Sequence, residues 1–221
     1  MPTIAFVNQK GGCAKSTTSV HFAYWLTQKE ANVILVDADA QRSSSIWLSS
    51  LEKPIRSEVI QSADDLLERL PGLSEQCDYL IVDGSAGLSE TTRAILFRVD
   101  LAIVPCQPTG VDLRSASDAV RLIRQAQSVR KGEPKAAVFL SRAVKGTKLL
   151  DEAIALLEKT EIPVLKTVLY QRQVIADTFG QGAVVWELSG KPAAESGREF
   201  NKLFNEVMEL LPWPLEKAGS P

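Results

Sequence analysis

The sequence predicts an α/β fold, a doubly wound and mostly parallel sheet flanked by helices. Three observations carry that expectation. The short apolar runs are continuous rather than alternating, as in strands covered on both faces. They alternate along the chain with longer stretches of helical periodicity, the order that builds a parallel sheet with crossover helices. The first run leads through a glycine-bearing turn straight into a helix, an arrangement that sets a ligand at the carboxyl edge of such a sheet.

Strands are expected at 3–8, 32–37, 79–83, 101–105, 136–141 and 164–170. Between them, helical periodicity covers 15–28, 43–51, 63–70, 89–97, 112–127 and 147–159. A last helix over 193–211 carries Phe200, Leu203, Phe204, Val207, Met208, Leu210 and Leu211 at core-packing spacing. Pro212-Trp213-Pro214 then stops it. The 221 residues are 45% hydrophobic and 24% charged, enough to bury roughly 70% of the unfolded surface in one large domain. A single domain over 1–221 is expected, with no internal repeat and no low-complexity linker.

Composition removes several function classes. No apolar run approaches the roughly 18–20 residues of a membrane span. Cys13, Cys77 and Cys106 are far apart and form no C-x-x-C pair, so neither a disulfide framework nor a zinc site is indicated. The net charge of −2 lacks the overall basicity of a dedicated nucleic-acid domain. Any such binding has to come from a local patch. The opening residues carry no basic leader or cleavage site, so a cytoplasmic location is expected. His21, the only histidine, reads as a packing or surface residue, and Trp25, Trp47, Trp186 and Trp213 as core or interface filling.

The most informative segment is Ile4-Ala5-Phe6-Val7-Asn8-Gln9-Lys10-Gly11-Gly12-Cys13-Ala14-Lys15-Ser16-Thr17-Thr18. Gly11 and Gly12 open backbone conformations closed to larger residues, and the helix start offers unpaired N–H groups to an anion. Lys15 adds a point charge for terminal phosphates, and Ser16 a hydroxyl where phosphate-binding loops ligate magnesium. The strict G-x-x-x-x-G-K-[ST] pattern fails twice, because Gln9 and Ala14 stand at its glycine positions. The pattern that fits is K-G-G-x-x-K-[ST]. The methyl group of Ala14 is harmless if its φ is negative and crowds the cradle otherwise.

Two carboxylate-ended strands complete the set. Val33-Ile34-Leu35-Val36-Asp37-Ala38-Asp39-Ala40-Gln41 ends in two acids, and Tyr79-Leu80-Ile81-Val82-Asp83-Gly84 ends in one. Both ends reach the crevice where ligands of open α/β sheets bind.

These segments resemble the motifs of the ParA/MinD family of P-loop NTPases with a deviant Walker A loop, Lys10 matching its signature lysine. The likeness continues through Ile103-Val104-Pro105-Cys106-Gln107-Pro108 and Tyr170-Gln171-Arg172-Gln173-Val174, covering nearly the whole chain. With only nine residues ahead of Lys10, no N-terminal helix-turn-helix domain is expected, as in the short ParA-type partition or microcompartment-positioning ATPases. The resemblance implies ATP and Mg2+ as cofactors, bound by Lys10, Gly11, Gly12, Cys13, Ala14, Lys15, Ser16 and Thr17. Asp39 would help position the attacking water, although Ala40 replaces the proline of the family's D-x-D-P-Q signature. Asp83 would hold magnesium through water, beside the Ser16 hydroxyl. Arg142, after Ser141, and the loop following Leu169 fall where family members contact adenine.

The same resemblance implies an ATP-dependent homodimer in which Lys10 reaches the phosphates of a second subunit. Hydrolysis would be weak alone and stimulated by a ParB-like or McdB-like adaptor. The dimer would bind non-specific DNA on the nucleoid and position cargo, a plasmid partition complex or a protein assembly such as carboxysomes. Basic candidates for DNA are Arg121, Arg124, Arg172, Arg198 and Lys202, with Arg130, Lys131 and Lys135 between them. The alternative is a MinD-like membrane switch in division-site placement. The excess of Glu195, Glu199, Glu206 and Glu209 over Arg198 and Lys202 on the last helix disfavours membrane attachment. A redox ATPase like the nitrogenase iron protein would need paired cysteines that Cys77 and Cys106 do not supply. A nucleotide-gated scaffold without turnover is a further reading if Ala14 or Ala40 impairs hydrolysis.

Overall fold

The computed structural model describes residues 1–87, 90–160 and 162–211. Six parallel strands form one sheet: β1 (Thr3–Phe6), β2 (Val33–Asp37), β3 (Ser57–Val59), β4 (Tyr79–Asp83), β5 (Leu101–Cys106) and β6 (Lys135–Leu140), in spatial order β3-β2-β4-β1-β5-β6. Successive side chains of a strand point to opposite faces, and the core divides accordingly. Ala5, Ile34, Val36, Leu80 and Val82 face one apolar layer, and Ile4, Phe6, Leu35 and Ile81 face the other. The first layer is closed by α3 (Ala63–Ser74), α4 (Glu90–Leu96), α5 (Gly110–Val129) and α6 (Lys148–Leu157). The second is closed by α1 (Lys15–Thr27), α2 (Ser43–Ser50) and α8 (Lys191–Glu209). α7 (Gln173–Gly180) packs beside α8. The fold is therefore the expected doubly wound one, and β1, lying between β4 and β5, sets the following loop at the crevice.

Several elements depart from the sequence expectation. The three-residue edge strand β3 has no continuous apolar run and exists through its pairing with β2, Leu35 opposite Ser57. The strand expected at 164–170 contributes only two isolated bridges, Val138 with Val164 and Ala143 with Tyr170. There the amides of Lys166 and Thr167 donate to the Glu206 carboxylate of α8 instead of extending a ladder. α3 runs past Leu70 and through Pro71, because Leu73 is buried in the core one turn further on. α7 has no counterpart in the sequence expectation, and of its residues only Thr178 is buried. Ser89 and Pro212-Trp213-Pro214 lie outside the described residues. No described helix is long and apolar enough to cross a membrane. All three cysteines are buried and free.

His21 is fully buried on α1 and stacks on Phe200 of α8 at 4.4 Å between ring centroids. Its Nδ1 lies 2.7 Å from the Thr17 carbonyl, which can only accept, so the proton sits on Nδ1. Its Nε2 accepts the Val185 N–H at 3.2 Å. Both ring nitrogens are thus used by the backbone in the neutral form, consistent with a packing residue, and Trp47 and Trp186 close around the ring. Burial lowers its pKa to about 4, against the opposing pull of the Thr17 carbonyl. The unfolded chain therefore binds the proton first as pH falls, and the stabilisation from neutral His21, present above pH 6.5, is lost towards pH 4. In urea titrations, the stability advantage of wild type over His21→Gln should shrink by about 2 kcal/mol between pH 7 and pH 5. A pH-independent difference would contradict this account.

Candidate nucleotide-binding site

The loop between β1 and α1 is held by groups that turn its carbonyls outward. Asn8, buried after β1, donates from Nδ2 to the Pro105 carbonyl at 2.7 Å. Its Oδ1 accepts the Lys10 amide at 3.1 Å and the Ser115 hydroxyl at 2.6 Å. The Gly12 carbonyl accepts from Gln107 Nε2 at 2.8 Å and Arg142 Nη1 at 2.9 Å. The Cys13 carbonyl takes the Ser141 hydroxyl at 2.9 Å. With these carbonyls engaged, the first amides of α1 and its positive dipole end remain for an anion. Lys15 Nζ folds over the loop to the Lys10 carbonyl at 2.9 Å.

Gly12 has φ +78° and Ala14, the residue capping α1, has φ +74°. Ala14 therefore occupies the left-handed region rather than the negative φ at which its methyl would be harmless. Cys13 is buried, its thiol pKa raised by desolvation, and its Sγ contacts the Lys10 carbonyl at 3.2 Å. A cavity of about 800 Å³ opens above the loop, lined by Gly11, Gly12, Lys15, Thr17, Asp39 and Arg142. It continues between α2 and α7 over Trp47 and Phe179, and past Leu169 and Tyr170.

The two acids ending β2 have separate situations. Asp37 is fully buried and accepts the Asp39 amide at 3.1 Å and the Ser45 amide at 2.8 Å, so it fixes the turn and the start of α2. Asp39 faces the cavity, accepting the Gln41 amide at 2.9 Å and, across the crevice, the Ala86 amide at 3.2 Å. Asp83 is fully buried at the end of β4, and neither of its oxygens completes a hydrogen bond among the described residues. Burial pushes its carboxyl up to about 7. The Ser16 hydroxyl opposes that rise, Asp37 adds to it, and Ser44 and Lys15 oppose it more weakly. A buried carboxylate with unsatisfied oxygens beside a serine hydroxyl fits a magnesium ion that keeps most of its waters.

Lys10 does not point into open solvent. Its Nζ lies 2.6 Å from Oδ2 of Asp112, a fully buried acid in the first turn of α5 that also takes the Thr109 hydroxyl. The other oxygen of Asp112 has no partner among the described residues. Arg142, expected at the base, donates through Nη1 to the Gly12 carbonyl of the loop and lines the cavity. Sequence reasoning gave no role to Asn8, Asp112 or Ser44. Asn8 meets Pro105 and Ser115, and Asp112 meets Lys10, only across about 100 positions of chain, and no local spacing announces those contacts.

The basic residues expected at DNA do not form one patch. Arg121 and Arg124 are exposed on α5, and Arg198 and Lys202 on α8, which covers the opposite face of the sheet. Arg121 pairs with Asp118 at 3.4 Å. The guanidinium of Arg172 binds Glu199 through two bonds of 2.6 and 2.7 Å and lies 3.6 Å from Glu195, so acids of α8 offset its charge. Arg130 is spent on the Leu96 and Val99 carbonyls at the end of α4. Lys131 and Lys135 are exposed.

The family model for the CobQ/CobB/MinD/ParA nucleotide-binding domain matches residues 4–184. The chain belongs to that family. It is 30% identical over 214 residues to the maintenance of carboxysome distribution protein A of Halothiobacillus neapolitanus, covering 93% of this chain and 96% of that protein. It is 25% identical over 225 residues to protein ParA of Rhizobium radiobacter, covering 96% and 100% of the two. Among solved structures, apo McdA of Cyanothece superposes with a TM-score of 0.79 at 18% identity, over 94% of this chain and 99% of that one. MinD of Pyrococcus horikoshii complexed with Mg-ADP gives 0.76 at 18% identity, over 95% and 96%. The chain is thus a ParA/MinD-type member of a family of nucleotide-binding ATPases, and a homologue of a carboxysome-distribution protein.

Left-handed geometry costs a non-glycine residue roughly 1–2 kcal/mol, part of which glycine returns through its unfolded-chain entropy. Ala14→Gly should therefore raise unfolding free energy by about 0.5–1 kcal/mol, read by urea denaturation without nucleotide. A loss of stability would show that the Ala14 methyl makes a contact worth more than the strain.

Proposed function

We propose that this chain is an ATPase that binds Mg-ATP on the loop between β1 and α1 and couples the γ-phosphate to formation of a two-fold sandwich dimer. The observation that carries the reading is the pair of lysines on one loop. Lys15 lies over the loop and lines the cavity, whereas Lys10 is drawn away from it to Asp112. Lys15 with the α1 amides would bind the phosphates of its own subunit, and Lys10 is the cation left for those of a second copy. Taking Lys10 from a buried carboxylate leaves that charge unpaired and so needs a strong competing anion. A triphosphate supplies one and a diphosphate supplies less, which makes dimerisation a report on the bound nucleotide.

Magnesium, held by Ser16 and through water by Asp83, would neutralise charge on the phosphates. Asp39, at the cavity wall and fixed by two backbone amides, would orient the attacking water. Phosphoryl transfer leaves a protein mainly positioning and charge neutralisation to supply, and these residues supply both. The homology to a carboxysome-distribution protein and to ParA supports a role in cargo positioning, with a ParB-like or McdB-like adaptor stimulating hydrolysis. Non-specific DNA on the nucleoid would bind through exposed cations such as Arg198 and Lys202. Phe200, Leu203, Phe204 and Val207 of α8 are buried in the core, so that helix presents no apolar face to a membrane.

Lys10→Ala should retain ATP in equilibrium binding yet remain monomeric by light scattering with Mg-ATP. A variant that still dimerises removes Lys10 from the subunit interface. Asp39→Ala should bind ATP and dimerise while turnover falls about 100-fold or more. Phosphate release at the wild-type rate would reassign the water-positioning group.

A further inference from the structure

The segment Ser43-Ser44-Ser45 opens α2, and its hydroxyls do three different things. Ser43 lines the cavity. Ser45 is half-buried, its hydroxyl on the Arg42 carbonyl at 3.1 Å and its amide on Asp37. Ser44 is fully buried and its Oγ has no hydrogen-bond partner among the described residues. Leaving a hydroxyl unbonded in the interior costs roughly 1–3 kcal/mol, and alanine would fill nearly the same space without that cost. Packing therefore gives no reason for serine at this position.

The unpartnered oxygens nearby belong to Asp83. Strands β2 and β4 pair in register, Asp37 opposite Asp83, so the turn that leads from Asp37 into α2 starts beside the end of β4. The Ser44 hydroxyl lies within interaction reach of the Asp83 carboxylate, and none of these three buried atoms completes a hydrogen bond among the described residues. Three buried acceptors or donors thus converge without satisfying one another: the Ser44 hydroxyl and the two oxygens of Asp83. Ser16 approaches the same carboxylate from the start of α1.

We propose that Ser44 is a positioning residue of the magnesium site: its hydroxyl donates to Asp83, orienting the carboxylate towards metal-bound water and tying the metal to the segment that carries Asp39. The inference rests on the proposed Mg-ATP site and adds a residue to it. Asp39 lies five positions before Ser44, joined by the turn that Asp37 fixes through the amides of Asp39 and Ser45. Drawing Ser44 onto Asp83 would therefore pull on the turn that holds Asp39, so that metal binding orders the segment beside the γ-phosphate.

The test is a magnesium titration of binding of the fluorescent analogue mant-ATP to full-length wild type, Ser44→Ala and Ser45→Ala. In Ser44→Ala the magnesium midpoint should rise about tenfold, the usual effect of removing a partner of a metal-shell group, while mant-ATP affinity in EDTA stays at the wild-type value. Ser45→Ala should titrate as wild type, and Ser44→Ala without nucleotide should be at least as thermally stable as wild type, since it deletes an unsatisfied group. A Ser44→Ala midpoint equal to wild type, or an equal loss of affinity with and without magnesium, overturns the inference and leaves the proposed function standing. Wild type that binds no mant-ATP under either condition overturns both.

Discussion

The site depends on which way the peptide groups of one loop face. Gln107 from the end of β5 and Arg142 from beyond β6 both donate to the Gly12 carbonyl, and Ser141 donates to that of Cys13. With those acceptors satisfied from outside, the loop can hold a concave row of N–H groups at the positive end of α1, the physical requirement for gripping an anion. The left-handed geometry at Gly12 and Ala14 follows from the same demand. Backbone strain at such a position persists only where the surroundings over-determine it, and here three side chains from just beyond β5 and β6 do so.

Around this loop the charges are arranged unevenly. The buried acids Asp37, Asp83 and Asp112 sit at the carboxyl ends of β2 and β4 and at the start of α5. Asp37 is satisfied by amides, Asp112 leans on Lys10, and Asp83 has no hydrogen-bond partner among the described residues. Burying carboxylates in this way costs stability unless each finds a cation or donors. Among the described residues, both oxygens of Asp83 and one of Asp112 stay without a hydrogen bond. The outer rim is different. Glu199 and Glu206 of α8 strap the segment after β6 in place, and Arg172 serves that strap.

Much of this was legible in the sequence. Continuous apolar runs such as 33–37 and 79–83 announce buried parallel strands because both faces of each are covered, and the loop with Lys10, Lys15 and Ser16 announces phosphate chemistry because its residue types and spacing serve little else. What escaped has a common cause. β3 is too short to show a pattern and is a strand only because β2 lies beside it. The segment 164–170 has a strand's composition, but its amides are captured by Glu206, about 40 residues away. Arg172 reads as a free cation until Glu199 is brought to it, and Arg121 and Arg198 read as one basic set until they appear on opposite faces of the sheet.

The sequence by itself determined the family, the alternation of buried strands with helices, and the glycine-bearing loop between β1 and α1, since each is written in local runs and spacings of a few residues. Only the tertiary structure decided that Ala14 is left-handed, that Lys10 is held by Asp112 across 102 positions, and that Asp83 is buried with no hydrogen-bond partner among the described residues. Those are facts about distance and burial between residues remote in the chain. They follow from how the layers stack on the sheet, and no local pattern encodes which side chain will meet which.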